Sequence, residues 1–197
     1  HRIAIQLSYT NAAGQVVRVN PYFDVTFDAN GNSVAVTDPA KTQVIAVVNS
    51  CNGCHEKLAL HGGGRVDVQY CVMCHNPGLA TSGRGIADNL LNNWTFDAAS
   101  TRILADWKFD KTLPNAALKF PVTSNNFKDL IHGIHAGRER VTPFQDARDR
   151  TPSVIQLLDF RRMDFPGKLN NCETCHVTAA SSDQKTYNYV PAGTLVS

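Results

Sequence analysis

The chain has 197 residues, a formal net charge of +2 and charged side chains at 18% of positions. This length fits one large domain or two small ones, and the charged fraction is low for a globular protein. Neither a basic face suited to nucleic acid nor an apolar run of about 18 residues that could cross a membrane as a helix occurs in the sequence.

Residues 1–48 have the pattern of a small β module. Ile3, Ile5 and Leu7 alternate with small or polar residues at a period of two, as in a strand with one buried face. Further extended runs are predicted at 16–19, 22–27, 34–36 and 43–48, and turns are predicted at 11–14 and 28–32. A barrel-like or sandwich-like module of this size is thin alone, so we expect it to pack against further protein.

From residue 49 onward the composition changes to glycine-rich turns and short helical patterns. Residues 124–126 form a cluster of helix-capping residues ahead of an apolar, helix-periodic segment at 127–136, and Gly137 supplies a C-terminal stop. The segment 79–123 receives no role beyond packing. The sequence thus predicts two domains, a β module at 1–48 and a mostly irregular and α-helical domain at 49–197.

The pattern Cys-x-x-Cys-His occurs three times and uses all six cysteines of the chain. Two cysteines at this spacing can form thioethers to the vinyl groups of one porphyrin, and the adjacent histidine becomes an axial ligand of its iron. We therefore predict three covalently attached haem c groups that fill the core of the second domain. The attachment residues are Cys51, Cys54, Cys71, Cys74, Cys172 and Cys175, and the proximal ligands are His55, His75 and His176.

Zinc is the competing interpretation, because Cys54 and Cys71 are separated by 16 residues, a spacing that also fits a zinc ribbon. The third cysteine pair, at Cys172, has no partner pair to complete such a site. A histidine directly after all three pairs is not required by zinc. A thioredoxin-like redox pair would not account for three copies.

Four histidines remain outside the motifs, and a haem with two histidine ligands needs one distal histidine. His61, His132 and His135 supply the three that are required, and His1 stays unassigned. Because His132 and His135 are three residues apart on a predicted helix, they project about 60° apart with a rise of about 4.5 Å. That pair can serve two closely stacked haems; the alternative is a separate metal site or ordinary helix polarity.

His61 follows His55 by six residues, so a helix continuing through 56–60 would keep both on one side of the same haem. We expect His61 to ligate a different haem, the alternative being a surface histidine in a glycine-rich turn. Met73 and Met163 are the only methionines, and Met73 lies inside a motif. Two histidine ligands at each iron leave no open position for substrate chemistry, which favours electron transfer.

Two arginines and two tryptophans each have two interpretations, a role at the haems or ordinary solvation and packing. Arg65 and Arg84 could pair with haem propionates, since a guanidinium matches carboxylate geometry, or could be solvated surface residues. Trp94 and Trp107 are interpreted as core residues rather than electron relays.

Four segments together resemble the outer-membrane multihaem cytochromes of the MtrC/OmcA type. They are 55–65 with its His-Gly-Gly-Gly-Arg end, 71–77 with its Cys-His-Asn-Pro end, 127–137, and 165–176. The resemblance implies β-barrel-like domains alternating with haem domains, and distal roles for His61, His132 and His135. It also implies extracellular electron transfer from an outer-membrane conduit to metal oxides, flavins or other cytochromes.

The favoured hypothesis is a multihaem cytochrome that conducts electrons, located outside the cytoplasmic membrane and at the cell surface or beyond. The alternatives are a soluble periplasmic carrier and a multihaem reductase with an open haem position. Haem domains of the family carry five haems, whereas this chain has three motifs. We therefore expect a longer haem-bearing polypeptide, or homo-association into a filament in which His1 could ligate a neighbour's haem. Because haem is normally attached to this motif outside the cytoplasmic membrane, we also expect that a leader has been removed or that the chain is cut from a longer one.

Overall fold

A computed structural model of the chain describes residues 1–38, 41–42, 44–79, 86, 95–107, 120–151 and 154–177. The chain divides into two compact units, His1–Asn76 with Asn170–Ser197, and Pro77–Leu169. The predicted boundary at residue 48 rests on composition rather than compactness and stays a prediction. Arg84 and Trp94 lie outside the described residues.

The N-terminal part of the first unit consists of small antiparallel sheets. Its strands are β1 Arg2–Ala4, β2 Leu7–Thr10, β3 Val16–Val19, β4 Tyr22–Phe27 and β5 Ser33–Ala35. Strands β1, β4 and β5 form one sheet in the order β1-β4-β5, and β2 pairs with β3 as a hairpin. The predicted turns are present, with Gly14 and Gly31 at positive φ values of 76° and 83°. A left-handed backbone at these positions is available to glycine without steric cost.

The predicted strand at 43–48 is wrong. Helix α1 already begins at Val48, and Ala46 forms only an isolated bridge with His176. The β-branched residues in this segment favour extended backbone locally, but no neighbouring strand continues the pairing beyond that bridge in the part of the chain described. Gln43 lies outside the described residues.

The described part of the first unit also contains two short helices and a 3-10 turn. Helix α1 spans Val48–His55, helix α2 spans Val68–Cys74, and the 3-10 turn spans Cys172–Thr174. Asp67 caps α2 by accepting a hydrogen bond from the backbone N–H of Gln69 at 2.7 Å, which satisfies one of the helix's orphan donors.

The second unit contains a sheet that the sequence did not predict. Strands β6 Thr95–Phe96, β7 Gln145–Thr151 and β8 Val154–Asp159 form a sheet in the order β6-β8-β7. Strand β8 pairs antiparallel with β7 and parallel with β6. Helix α3, at Ala98–Trp107, supplies partly buried side chains that pack against the sheet's buried cluster of Ala147, Ile155 and Leu157. The expectation of a mostly irregular and helical second domain is therefore wrong for this segment.

Helix α4 spans Phe127–His135 and confirms the predicted helix. Asn126 caps it, its side chain accepting a hydrogen bond from the backbone N–H of Lys128 at 3.1 Å. Gly133 is buried in the helix, where it faces the ring of Phe144 so closely that a Cβ atom would overlap the ring. The glycine therefore permits close contact between α4 and the residue preceding β7.

Within the described ranges, no helix has both the length and the apolar character needed to cross a membrane.

Candidate haem centre

All three attachment motifs belong to the first unit. The first motif forms the C-terminal part of α1. The second ends at His75, the C-cap of α2, and the third begins with the 3-10 turn and continues past it to His176. A helical turn places residues i and i+3 on one face, which is the arrangement that two thioethers to one porphyrin require. One cysteine of each pair is half-buried and the other exposed; the half-buried ones are Cys51, Cys71 and Cys175.

Backbone pairing joins the third motif to the segment that leads into the first. Ala46 and His176 form an antiparallel bridge, and the N–H of Val177 donates to the carbonyl of Ile45 at 2.9 Å. The side chain of Gln69 in α2 donates to the carbonyl of Ala46 at 2.8 Å. Residues 45 and 46 therefore contact the elements that carry the second and third motifs.

The pKa values of the half-buried thiols are raised. Burial raises the pKa of Cys51, and the nearby Cys175 raises it further. Burial likewise raises the pKa of Cys71, with smaller contributions from Asp67 and Cys51. The thiol of Cys51 is therefore within electrostatic reach of a cysteine from each of the other motifs. Raised pKa values are the opposite of what a nucleophilic cysteine needs.

His61 lies beside the proximal histidine of the second motif. The ring centroids of His61 and His75 are 6.1 Å apart and the rings are inclined at 45°. His61 belongs to a tight loop that the Leu60–Arg65 bridge closes, and its backbone is left-handed, with φ of 51°. A left-handed non-glycine residue is uncommon and is maintained only where its surroundings enforce it.

The spacing of these two rings fits a shared metal ion. With a metal–nitrogen bond of about 2 Å and about 1 Å from nitrogen to ring centre, two imidazoles on opposite sides of one ion have centroids about 6 Å apart. The sequence argument against pairing His61 with His55 assumed that a helix continues through residues 56–60. That assumption is wrong, because α1 ends at His55 and Glu56 has φ of 55°. Ligation by His61 stays a prediction.

Arg65 provides a second test of whether these residues fit a haem. Its Nε atom is buried and makes no hydrogen bond, and its charge lowers the pKa of Cys71 as the last of several influences. Its guanidinium lies 6.0 Å from the centre of the Tyr70 ring. A buried guanidinium nitrogen without a protein acceptor fits an anionic group such as a haem propionate.

The packing of the first unit also fits a prosthetic group. Among its described residues, the buried hydrophobic side chains are Val25 and Val68. A unit of this length ordinarily buries a larger set of apolar side chains. Large apolar cofactors held by the three motifs would supply the missing interior.

His132 and His135 lie on α4 in the second unit. The Nδ1 atom of His135 is 2.8 Å from the carbonyl oxygen of Ile131. A carbonyl only accepts, so Nδ1 carries the proton and Nε2 of the neutral ring keeps its lone pair for a metal. The edge of the ring packs against Phe165, with centroids 5.6 Å apart. His132 is exposed on the same helix.

His1 has contacts of its own. Its terminal amino group donates to the carbonyl of Val25 at 2.6 Å, and its ring meets the ring of Phe27 edge-on at 5.3 Å. A role for His1 toward a neighbouring copy stays a prediction.

No group of three or more His, Cys, Asp or Glu side chains in the described parts of the chain is arranged to hold a metal ion. The zinc-ribbon alternative needs four such ligands from the first two pairs to converge. Covalent attachment needs each pair to act alone, and at the three motifs it stays a prediction.

Sequence reasoning missed two polar residues that position the second motif, Asn20 and Gln69. Both are buried, at 5% and 4% exposure, and their hydrogen bonds join the β module to the motif-bearing segment. An asparagine after a strand and a glutamine inside a helix are common residues, so no local signal could have singled them out.

The motifs, the paired histidines and the sparse side-chain core of the first unit define a multihaem c-type cytochrome. A model of the family described as outer membrane cytochrome MtrC/MtrF-like, domains II/IV, matches residues 43–195, and the chain belongs to this family. This confirms the family that the sequence resembles, the multihaem c-type cytochromes of the MtrC type.

One curated relative is the multiheme cytochrome MtrC of Shewanella baltica (strain OS185). It is 36% identical over 72 residues, which are 36% of this chain and 10% of that protein. The chain thus matches about a tenth of the relative's length. No solved structure matches the chain.

Proposed function

We propose that the chain binds three haem c groups and conducts electrons between partners in extracellular electron transfer. The observation that carries this proposal is the gathering of all three attachment motifs in one compact unit. A bound haem supplies an iron that cycles between the ferric and ferrous states. The protein's own contribution is to attach, ligate and space these groups.

The ligand set follows from the residues at each motif. His55, His75 and His176 are the proximal ligands, and His61, His132 and His135 are the distal ones. The spacing of His61 and His75 supports pairing of these two at the second motif. The hydrogen bond from His135 to Ile131 supports His135 as a ligand, because it orients the ring and fixes its tautomer.

With two histidine ligands at each of the three irons, no axial position is open. This arrangement favours outer-sphere electron transfer over chemistry at an open iron. Suitable partners are other multihaem cytochromes, an outer-membrane conduit, flavins and metal oxides, and homo-association into a filament would extend the path. Metal reduction would then follow from electron transfer to a surface rather than from a substrate pocket. Family membership does not favour the periplasmic carrier or the reductase with an open haem position.

Ligand replacement with spectroscopy tests the ligand set. His61→Ala and His135→Ala should each convert one haem from low-spin to high-spin ferric iron and leave the others unchanged. His1→Ala is the matched control and should leave every iron low-spin, because His1 packs against Phe27. A native protein that already has a high-spin haem would favour the reductase alternative.

Transient kinetics test the function itself. Reduced protein mixed with a flavin or a soluble ferric chelate should be oxidised rapidly and with little selectivity between the two. Saturable turnover of one small substrate, with strong discrimination against close analogues, would contradict conduction as the function.

A further inference from the structure

Asn20 follows strand β3 in the β module and is almost fully buried, at 5% exposure. Its side-chain oxygen accepts hydrogen bonds from the backbone N–H groups of Val66 at 2.6 Å and Asp67 at 3.2 Å. Its side-chain nitrogen donates to the carbonyls of Gly64 and Val19, each at 3.0 Å. One amide therefore binds the backbone at three positions, Gly64, Val66 and Asp67, which lie on both sides of Arg65.

These bonds hold two segments that carry histidines: the loop that contains His61 and the start of the helix that leads to His75. Gly64 belongs to the loop closed by the Leu60–Arg65 bridge, which carries His61. Asp67 is the N-cap of α2, which leads to Cys71, Cys74 and His75. Asn20 therefore fixes the loop of one histidine relative to the helix that positions the other.

The surrounding residues make this attachment specific. A Cβ atom on Gly64 would come within 2.5 Å of the side-chain nitrogen of Gln6, so the loop lies directly against the β module. Arg2 donates to both carboxylate oxygens of Asp24 at 2.7 Å and to the side-chain oxygen of Gln69 at 2.6 Å. Gln69 in turn lies in α2, so the module contacts the helix through a second, independent set of bonds.

We infer that the N-terminal β module is a ligand-positioning scaffold for the haem of the second motif, and that Asn20 is the positioning residue that sets His61 opposite His75. The inference rests on the proposed function. The left-handed backbone of His61, with φ of 51°, supports it, because an uncommon conformation persists only where surrounding contacts enforce it. The module thus contributes to coordination without supplying a ligand.

The test compares Asn20→Asp with a matched control in the same module, Asn11→Asp. The side-chain oxygen of Asn11 also accepts from two backbone N–H groups, those of Ala13 at 3.0 Å and Gln15 at 2.9 Å. Its nitrogen also donates one bond, to the side chain of Gln15 at 3.1 Å. Both replacements keep the acceptor and remove the donor, but only Asn20 contacts the His61 loop.

Asn20→Asp should bind the same number of haems as the unsubstituted protein and show a high-spin ferric signal from one of them. Added imidazole should return that signal to low spin, because it replaces a displaced distal ligand. Asn11→Asp should stay low-spin throughout. Combining Asn20→Asp with His61→Ala should give no more high-spin iron than His61→Ala alone, since both changes act on the same haem.

Low-spin iron throughout in Asn20→Asp, or an additive high-spin signal in the double variant, would overturn this inference and leave the proposed function intact. If the unsubstituted protein lacks three covalent haems or is not low-spin, the proposed function itself fails. Asn20→Ala serves as a second variant and should give at least as much high-spin iron as Asn20→Asp.

Discussion

Replacing Gly133 by alanine should destabilise the second unit, although alanine is the better helix former. The new Cβ atom would overlap the ring of Phe144, with Cγ at 2.7 Å, where carbon atoms prefer a separation of about 3.5–4.0 Å. The ring has little room to move, because it is 5% exposed and packs against Phe160 with centroids 5.8 Å apart. The guanidinium of Arg140 also lies 5.8 Å from its centre.

The magnitude follows from two opposing effects. Overpacking a buried site costs about 1–3 kcal/mol, and the confined ring places this site at about 3 kcal/mol. Alanine in place of glycine in a helix interior returns about 1 kcal/mol. We therefore expect a net loss of about 2 kcal/mol in the free energy of unfolding, which lowers the urea midpoint by about 1 M at an m value of about 2 kcal/mol/M.

Urea unfolding followed by circular dichroism measures this change. The double variant Gly133→Ala/Phe144→Leu is the control, because the smaller side chain relieves the overlap. Its destabilisation should be less than the sum of the two single changes, which shows direct coupling. A single Gly133→Ala variant as stable as the unsubstituted protein, or more stable, would refute the close contact between α4 and Phe144.

Two further predictions concern the second unit. Ser100→Ala should lower the free energy of unfolding by about 1–3 kcal/mol, because the buried hydroxyl accepts a hydrogen bond from the backbone N–H of Leu157 at 2.6 Å. The control Thr101→Ala, at an exposed position, should change the free energy of unfolding in urea by less than about 0.5 kcal/mol. Burial alone would raise the pKa of Asp159, but hydrogen bonds from Arg161 and other donors outweigh it and hold that pKa far below its ordinary range. A depressed carboxylate pKa contributes stability above the unfolded value of about 3.9 and loses it as pH falls further, so Asp159→Asn should flatten this acid loss in urea titrations. An unchanged acid profile would contradict that assignment.

The sequence predicted the elements whose signals are local. The Asn126 cap and the helical period of 127–136 identified α4, which the structure places at Phe127–His135. The turns near Gly14 and Gly31 required left-handed backbone, and both are present. The attachment motifs needed no tertiary information, because their chemistry lies within five consecutive residues each.

The missed elements depend on contacts distant in sequence. Strand β7, at Gln145–Thr151, is rich in charged residues and lacks an alternating apolar face, and its pairing with β8 determines its conformation. Residues 44–48 include β-branched side chains, but among the residues that the structure describes no adjacent strand continues their pairing, so the chain enters α1 instead. The proximity of His61 to His75 likewise depends on the loop closed at Leu60 and Arg65.

The central claim is that the three motifs each hold one haem covalently with two histidine ligands. Intact-mass spectrometry and electron paramagnetic resonance on one oxidised sample test this claim directly. We expect the polypeptide mass plus three haem units, retained after acid-acetone extraction, and low-spin ferric signals alone. Haem that extracts into acid acetone, zinc in place of iron, or a motif whose cysteines remain free thiols would contradict it.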